Sequence, residues 1–283
     1  MRTGVSKPPA REESLSGLFA AIQEALTRGE PVALCTVVQA EGGAPRGPGA
    51  KMLVRADGTA LGTVGGGAME GDVTQQALEA LRQGIPRLAD YTLRDEDDPG
   101  ICGGQATVFI DVLEPAPTLL IVGAGHIGQM LAQLGRLQGY RVVVCDDRAE
   151  YANSETLPAA DRILVGPLPN VLTDVTITTN TCVIVVTRGH KDDETALGYL
   201  LGLDEQPGYL GMIGSTRKVR TVFEHLRAAG ATEEQLAQVH APIGLRIGAQ
   251  TPAEIALCIL AEILLVRRGG DGQPLSATSL PAQ

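Results

Sequence analysis

The sequence predicts an α/β protein of two domains, an N-terminal α/β domain followed by a domain built on a doubly wound parallel sheet. Three observations carry this expectation. The chain has 283 residues, and at about 100–200 residues per domain that length suggests two cores. After a Pro-rich break at Glu114-Pro-Ala-Pro117, strand and helix patterns alternate, which implies a parallel sheet. Aromatic residues are scarce, with no Trp, three Phe and five Tyr. The core must therefore come from Val, Ile, Leu and Ala, as in sheets covered on both faces.

Taken in order, residues 1–13 are polar and expected to be loose. Ser14 or Ser16 caps a first helix that runs through Arg28 and stops at Gly29. The β-branched run from Pro31 through Val38 reads as a strand, and the Gly- and Pro-rich stretch 41–49 as a loop. Lys51 to Arg55 is a strand, Asp57-Gly58 a tight turn and Leu61 to Val64 the returning strand. Gly65-Gly66-Gly67 opens a helix from about Ala68 to Arg82, stopped at Gly84. Tyr91 to Arg94 reads as a short strand, residues 95–100 as an acidic loop, and Thr107 to Leu113 as the strand that closes the first domain. The domain bounds expected are 14–114 and 118–268.

In the second domain, Leu119 to Val122, Arg141 to Cys145, Ile163 to Val165, Thr181 to Val186 and Gly208 to Ile213 read as strands. Helices are expected over Ile127 to Gln138, Asp192 to Leu203, Thr216 to Ala229 and Pro252 to Arg267. Residues 269–283 look like a disordered tail. No internal repeat is present.

Charge and cysteine usage bound the function. Net charge is −10, which argues against nucleic acid as a partner, since that needs a basic face. An anionic small molecule is not excluded, because it responds to local charge. No apolar run is long enough to cross a bilayer, and the polar N-terminus does not read as a secretory signal. The five Cys form no CxxC pair, which fits reduced thiols in a cytoplasmic protein. With no paired His/Cys spacing, a protein-held zinc site is not expected.

The most informative motif is Gly123-Ala-Gly125-His126-Ile-Gly128. It follows an apolar strand, opens an apolar-periodic helix, and has Asp146 eighteen residues beyond it. That is the context of a dinucleotide-binding Rossmann loop. The glycines permit a tight turn and close backbone approach, the helix N-terminus offers N–H groups to a phosphate, and Asp146 sits where a ribose diol would be held. The alternative is a Rossmann scaffold that holds no dinucleotide. His126 either points at the ligand or packs. A second run, Gly214-Ser215-Thr216-Arg217-Lys218, places cations in a helix's first turn. There they oppose the helix dipole unless an anion docks between them and Ser215; the alternative is a solvated basic face. Arg188 and His190 follow the strand ending at Val186, and His190 is either an acid/base or donor group or a lone surface histidine.

In the first domain, Gly65, Gly66 and Gly67 lack a P-loop Lys but are suited to form a nest of N–H groups for an anion. Glu70 beside them either serves that site or is a favourable charge at a helix start. Cys102, followed by Gly103 and Gly104, is the one Cys flanked by glycine and the candidate reactive or ligating thiol. Cys35, Cys145, Cys182 and Cys258 read as core.

Together the runs EGGAPRGPGAKMLV, GTVGGGAMEGDV, CGG, IVGAGHIGQMLA, VVVCDDR, YLGMIGSTRKV and PIGLRIGAQTPAEIALCILAEI resemble the XdhC/CoxI family of xanthine dehydrogenase accessory proteins, over about residues 15 to 267. The resemblance implies a factor that binds molybdenum cofactor, supports its sulfuration and inserts it into an apo molybdenum hydroxylase, usually as a homodimer. A cysteine desulfurase is then a possible further partner. It implies a role as a cofactor-insertion chaperone more than as a catalyst. Against the family's usual pattern, Ala68 stands where CoxI-type members often have Cys, Thr216 departs from IGSRRK, Arg246 replaces an acidic or polar residue, and Arg188 replaces the first His of a TH-x-H form. On the resemblance, Gly123, Gly125, Gly128, Ser215, Arg217 and Lys218 cradle phosphate, while Gly65 to Gly67 and Cys102 approach the pterin or metal. The alternative function is an NAD(P)-binding oxidoreductase using the Gly123–Gly128 loop.

Overall fold

The computed structural model describes residues 14–94 and 102–276, with the backbone alone at 93–94 and 102–103. The chain divides into two compact units, Met1–Ala116 and Pro117–Gln283. The readings of residues 1–13 and 95–100 lie outside the described residues, as does the end of the expected tail, 277–283. Residues 269–276 carry neither helix nor strand.

The first unit is an antiparallel sheet with a helix on each face. Its elements are α1 (Leu15–Arg28), β1 (Val32–Glu41), β2 (Lys51–Arg55), β3 (Ala60–Gly62), α2 (Gly67–Gln83), β4 (Arg87–Arg94) and β5 (Cys102–Leu113). Strand order is β3-β2-β1-β5-β4. The side-chain period of two sorts the strands between the helices. Ala33, Cys35, Val37, Met52 and Val54 pack with Met69, Val73 and Ala77 of α2, whereas Val32 and Leu53 pack with Leu18, Ile22 and Ala25 of α1. Three strands exceed their sequence-based bounds. β1 continues to Glu41 because Gln39, Ala40 and Glu41 pair with Thr107, Ala106 and Gln105 beyond a bulge at Val38. That pairing draws β5 back to Gln105, pairing with β4 carries it on to Cys102, and β4 starts at Arg87. These extensions are polar, so their signal lies in long-range pairing rather than in local pattern.

The second unit contains β6 (Thr118–Val122), α3 (His126–Leu137), β7 (Arg141–Asp146), β8 (Arg162–Val165), β9 (Thr181–Val185), α4 (His190–Leu201), β10 (Tyr209–Met212), α5 (Thr216–Ala228), α6 (Glu233–Ala237), β11 (Val239–His240) and α7 (Pro252–Arg268). A 3₁₀ turn spans Asn170–Asp174. All strand pairs are parallel, in the order β11-β10-β9-β6-β7-β8. Adjacent residues of β6 face opposite layers: Leu119 and Ile121 meet Leu131 of α3 and Ile259 of α7, while Leu120 and Val122 meet Leu197 of α4 and Val222 of α5. This is the doubly wound Rossmann order, and it reverses between β6 and β9. α6 and β11 have no counterpart in the sequence-based reading, although Thr232 and Gln235 form a capping box that a search for the S/T-x-x-E/Q pattern would find.

A polar network fixes the approach to α7. Glu262 accepts from the Tyr209 hydroxyl (2.7 Å) and from the Gly244 N–H (2.6 Å), and His240 stacks on Tyr209 with ring centroids 4.6 Å apart. Among the described residues, no helix is long and apolar enough to cross a membrane.

Candidate functional site

Parallel topology brings the loops after β6, β7, β9 and β10 to the carboxyl edge of one sheet, and the reversal in strand order opens a crevice there. Gly123, Gly125, Asp146, Arg188, His190, Ser215, Arg217 and Lys218 all lie on these loops or at the helix starts they feed. The three loop glycines have distinct reasons to be glycine. Gly123 has φ +120°, and a Cβ on it would lie 2.5 Å from the Val186 carbonyl oxygen. A Cβ on Gly128 would lie 2.0 Å from the Gly123 carbonyl oxygen, so α3 sits directly against its own loop. A Cβ on Gly125 would meet nothing within 4 Å. Internal packing therefore does not require glycine at 125, whereas close approach of a ligand would. Gly125 is the N-cap of α3, and no side chain caps that end. α4 also starts without a side-chain cap, at Gly189. His126 and His190 are both exposed.

Beside this loop lies a cleft of about 160 Å³, lined in part by Gly123, Asp146, Arg148, Leu168, Thr187 and Arg188. The expectation that Asp146 offers its carboxylate to a ribose is corrected. Oδ1 accepts from the Arg148 N–H (3.0 Å) and Nε (2.8 Å), and Oδ2 from Arg148 Nη2 (2.8 Å) and the Ala124 N–H (2.7 Å). The guanidinium also stacks on Tyr151, 4.1 Å from the ring centroid. Burial pushes the Asp146 carboxyl up, but Arg148 and the two backbone donors outweigh it and hold it at about 2. Arg188 stands 3.6 Å from Asp147 and is largely exposed.

Lys218 is likewise committed within the protein. Its Nζ is 2.5 Å from Oδ2 of Asp193, which is fully buried, and the Thr187 hydroxyl donates to Asp193 Oδ1 at 2.6 Å. Burial raises the Asp193 carboxyl, and the Lys218 and Thr187 contacts pull it back without cancelling the rise. Ser215 caps α5 by accepting from the Lys218 N–H at 3.2 Å. An internal carboxylate thus compensates the unfavourable place of Lys218 near a helix start. Arg217 is exposed.

In the first unit, Glu70 Oε1 accepts from the Thr63 hydroxyl and from the N–H groups of Val64 (3.2 Å), Gly65 (3.3 Å) and Gly66 (2.9 Å). The nest expected to receive an outside anion is therefore filled at Gly65 and Gly66 by the chain's own carboxylate, while Gly67 begins α2 and is exposed. Gly104 has φ +117°, and a Cβ there would lie 2.6 Å from the Ala44 nitrogen, so this glycine accommodates the 41–44 loop. Cys102 and Gly103 begin β5, and the Cys102 side chain lies outside the described residues. Cys35, Cys145, Cys182 and Cys258 are free and buried, as the sequence reading has them. Burial pushes the thiols of Cys35 and Cys145 up to about 12 and that of Cys182 to about 11.

Sequence reasoning missed Arg148, Thr187 and Asp193. For Arg148 the one local signal is a cation two residues after the strand-end acid. An acid at a helix start is ordinary, and only the fold puts Lys218 beside Asp193.

The family model described as "XdhC Rossmann domain" matches residues 119–263, and "XdhC and CoxI family" matches residues 25–92. The Escherichia coli protein YqeB, described as uncharacterized, is 37% identical over 257 residues, covering 89% of this chain and 46% of its own. The chain thus spans less than half of that relative. The Escherichia coli molybdenum cofactor insertion chaperone PaoD is 29% identical, with 86% of each chain covered. A solved Bacillus halodurans structure described as a xanthine dehydrogenase is 22% identical and covers 92% of this chain and 97% of its own, with a TM-score of 0.50, which speaks to the fold alone.

Proposed function

The chain belongs to the XdhC and CoxI family, and from that premise we propose that it is an accessory protein that binds molybdenum cofactor as cargo. In this reading it supports the cofactor's sulfuration and its insertion into a xanthine dehydrogenase-like apo molybdenum hydroxylase. The observation that carries the proposal is Gly125. It faces open space at the sheet's switch point, at the start of a helix whose first N–H groups no side chain caps. An anionic pterin phosphate is the kind of group such a helix end receives.

Within this reading, the Gly123–Gly128 loop holds the phosphate, and the exposed Arg188 and Arg217 supply charge. Lys218, Ser215 and Asp146 hold the surrounding loops rather than the cargo. His190, exposed at the start of α4, serves as a hydrogen-bond or proton donor. Cys102, followed in β5 by Gly103 and Gly104, is the thiol offered to the soft metal or its sulfido group. A cysteine desulfurase supplies the sulfur, the working form is a homodimer, and the free thiols fit a reducing cytoplasm. The name of PaoD, a molybdenum cofactor insertion chaperone, supports the cargo and its insertion.

The test is expression in a host that makes molybdenum cofactor, followed by measurement of pterin in the purified protein. Substantial co-purified pterin is expected; pterin at the level of an unrelated protein prepared in parallel would end the proposal.

A further inference from the structure

In dinucleotide-binding Rossmann domains, the acid ending the second strand accepts both hydroxyls of a ribose. Here Asp146 ends the second strand of the sheet, yet its two oxygens receive four N–H donors, three of them from Arg148. The pairing is bidentate, and it is shielded: the Asp146 side chain is 4% exposed and that of Arg148 20%. Tyr151 backs the guanidinium from one face. Arg148 and Asp146 both line the cleft beside the Gly123 loop. The position that would offer acceptors to a diol instead presents a cation.

We propose that Arg148 is a specificity-determining residue that makes the crevice refuse ligands docking through a free ribose diol and present donors to a ligand's oxygen acceptors in their place. The inference rests on the reading above only in taking the crevice as a ligand site. A diol must displace a charge-assisted, two-pronged contact to reach Asp146, and each such bond is worth more than a neutral hydroxyl contact returns. Removing the guanidinium should uncover two carboxylate acceptors at the place a diol needs them.

The test is equilibrium dialysis of NADH and NADPH against the full chain and its Arg148→Ala variant, with folding checked by thermal melting. Arg148→Ala should bind NADH about tenfold or more tighter than the unaltered chain, the worth of one charge-assisted hydrogen bond. It should show no gain for NADPH, whose 2′-phosphate meets the exposed carboxylate. Should the alanine variant fold poorly, Arg148→Lys keeps a cation on one oxygen and frees the other, and should show part of the same gain. Unchanged NADH binding in a folded variant would overturn the proposal, as would an equal gain for NADPH, which would mean that space and not polarity was the barrier. Pterin co-purification with the unaltered chain is a separate readout, so this inference and the cargo reading fail independently.

Discussion

Asp146 and Arg148 show how a residue's role turns on its nearest partner. The carboxyl is held at about 2, below its ordinary value of 3.8, because the donors around it outweigh the burial that raises it. A carboxyl depressed in the folded state contributes stability that is complete above its unfolded value and lost as pH falls through the folded one. The contribution, on the order of 2 kcal/mol at 1.36 kcal/mol per unit, is therefore expected to vanish between about pH 4 and pH 2. Denaturant unfolding across that window should show a shallower acid loss for Asp146→Asn than for the unaltered chain; parallel curves would remove Asp146 from the acid response. From the sequence, Asp146 could be placed at a strand end, but not its saturation. A local pattern says where a side chain starts, not which neighbour reaches it first. Glu70 teaches the same lesson: its helix-start position was legible, and its insertion among the Val64–Gly66 amides was not.

Elements with strong apolar periodicity were the most legible. β6, α3, β7 and β9 fall within a residue or two of their sequence-based bounds, because each buries a continuous apolar set. Among the strands of the first unit β4 was poorly legible, since it lies at the sheet edge with residues that alternate between a half-covered and an exposed face, and its pairing partner β5 lies across the acidic loop. Between elements, the Lys218–Asp193 pair ties the start of α5 to the start of α4, and Thr187 extends the tie to the loop after β9. Lys218→Met would leave Asp193 buried and unpaired, a loss of about 3–5 kcal/mol. In a unit of this size that corresponds to a fall in melting temperature on the order of 10 °C, measurable by calorimetry. An unchanged melting temperature would show that the tie contributes nothing.

At the scale of the whole molecule, two units of different sheet type carry separate parts of the proposed task. The parallel unit supplies helix ends and glycines at a switch point, features that follow from topology and were legible once the Gly123–Gly128 loop had been read. The antiparallel unit packs glycines against its own chain at Gly65, where a Cβ would lie 2.8 Å from Pro45, and at Gly104, so its proposed service to the cofactor rests on Cys102. The central claim is that the open amide end of α3 at Gly125 handles the cargo rather than serving as passive scaffold. It is tested most directly by activating a xanthine dehydrogenase-like apoenzyme with molybdenum cofactor in the presence of the chain or of Gly125→Asp. That variant places a carboxylate where internal packing leaves room for it and a phosphate is expected. The account predicts that the variant keeps its melting temperature and loses about tenfold or more of the activation, the scale of a repelled charge in place of a bound one; full activation by a folded Gly125→Asp would contradict it.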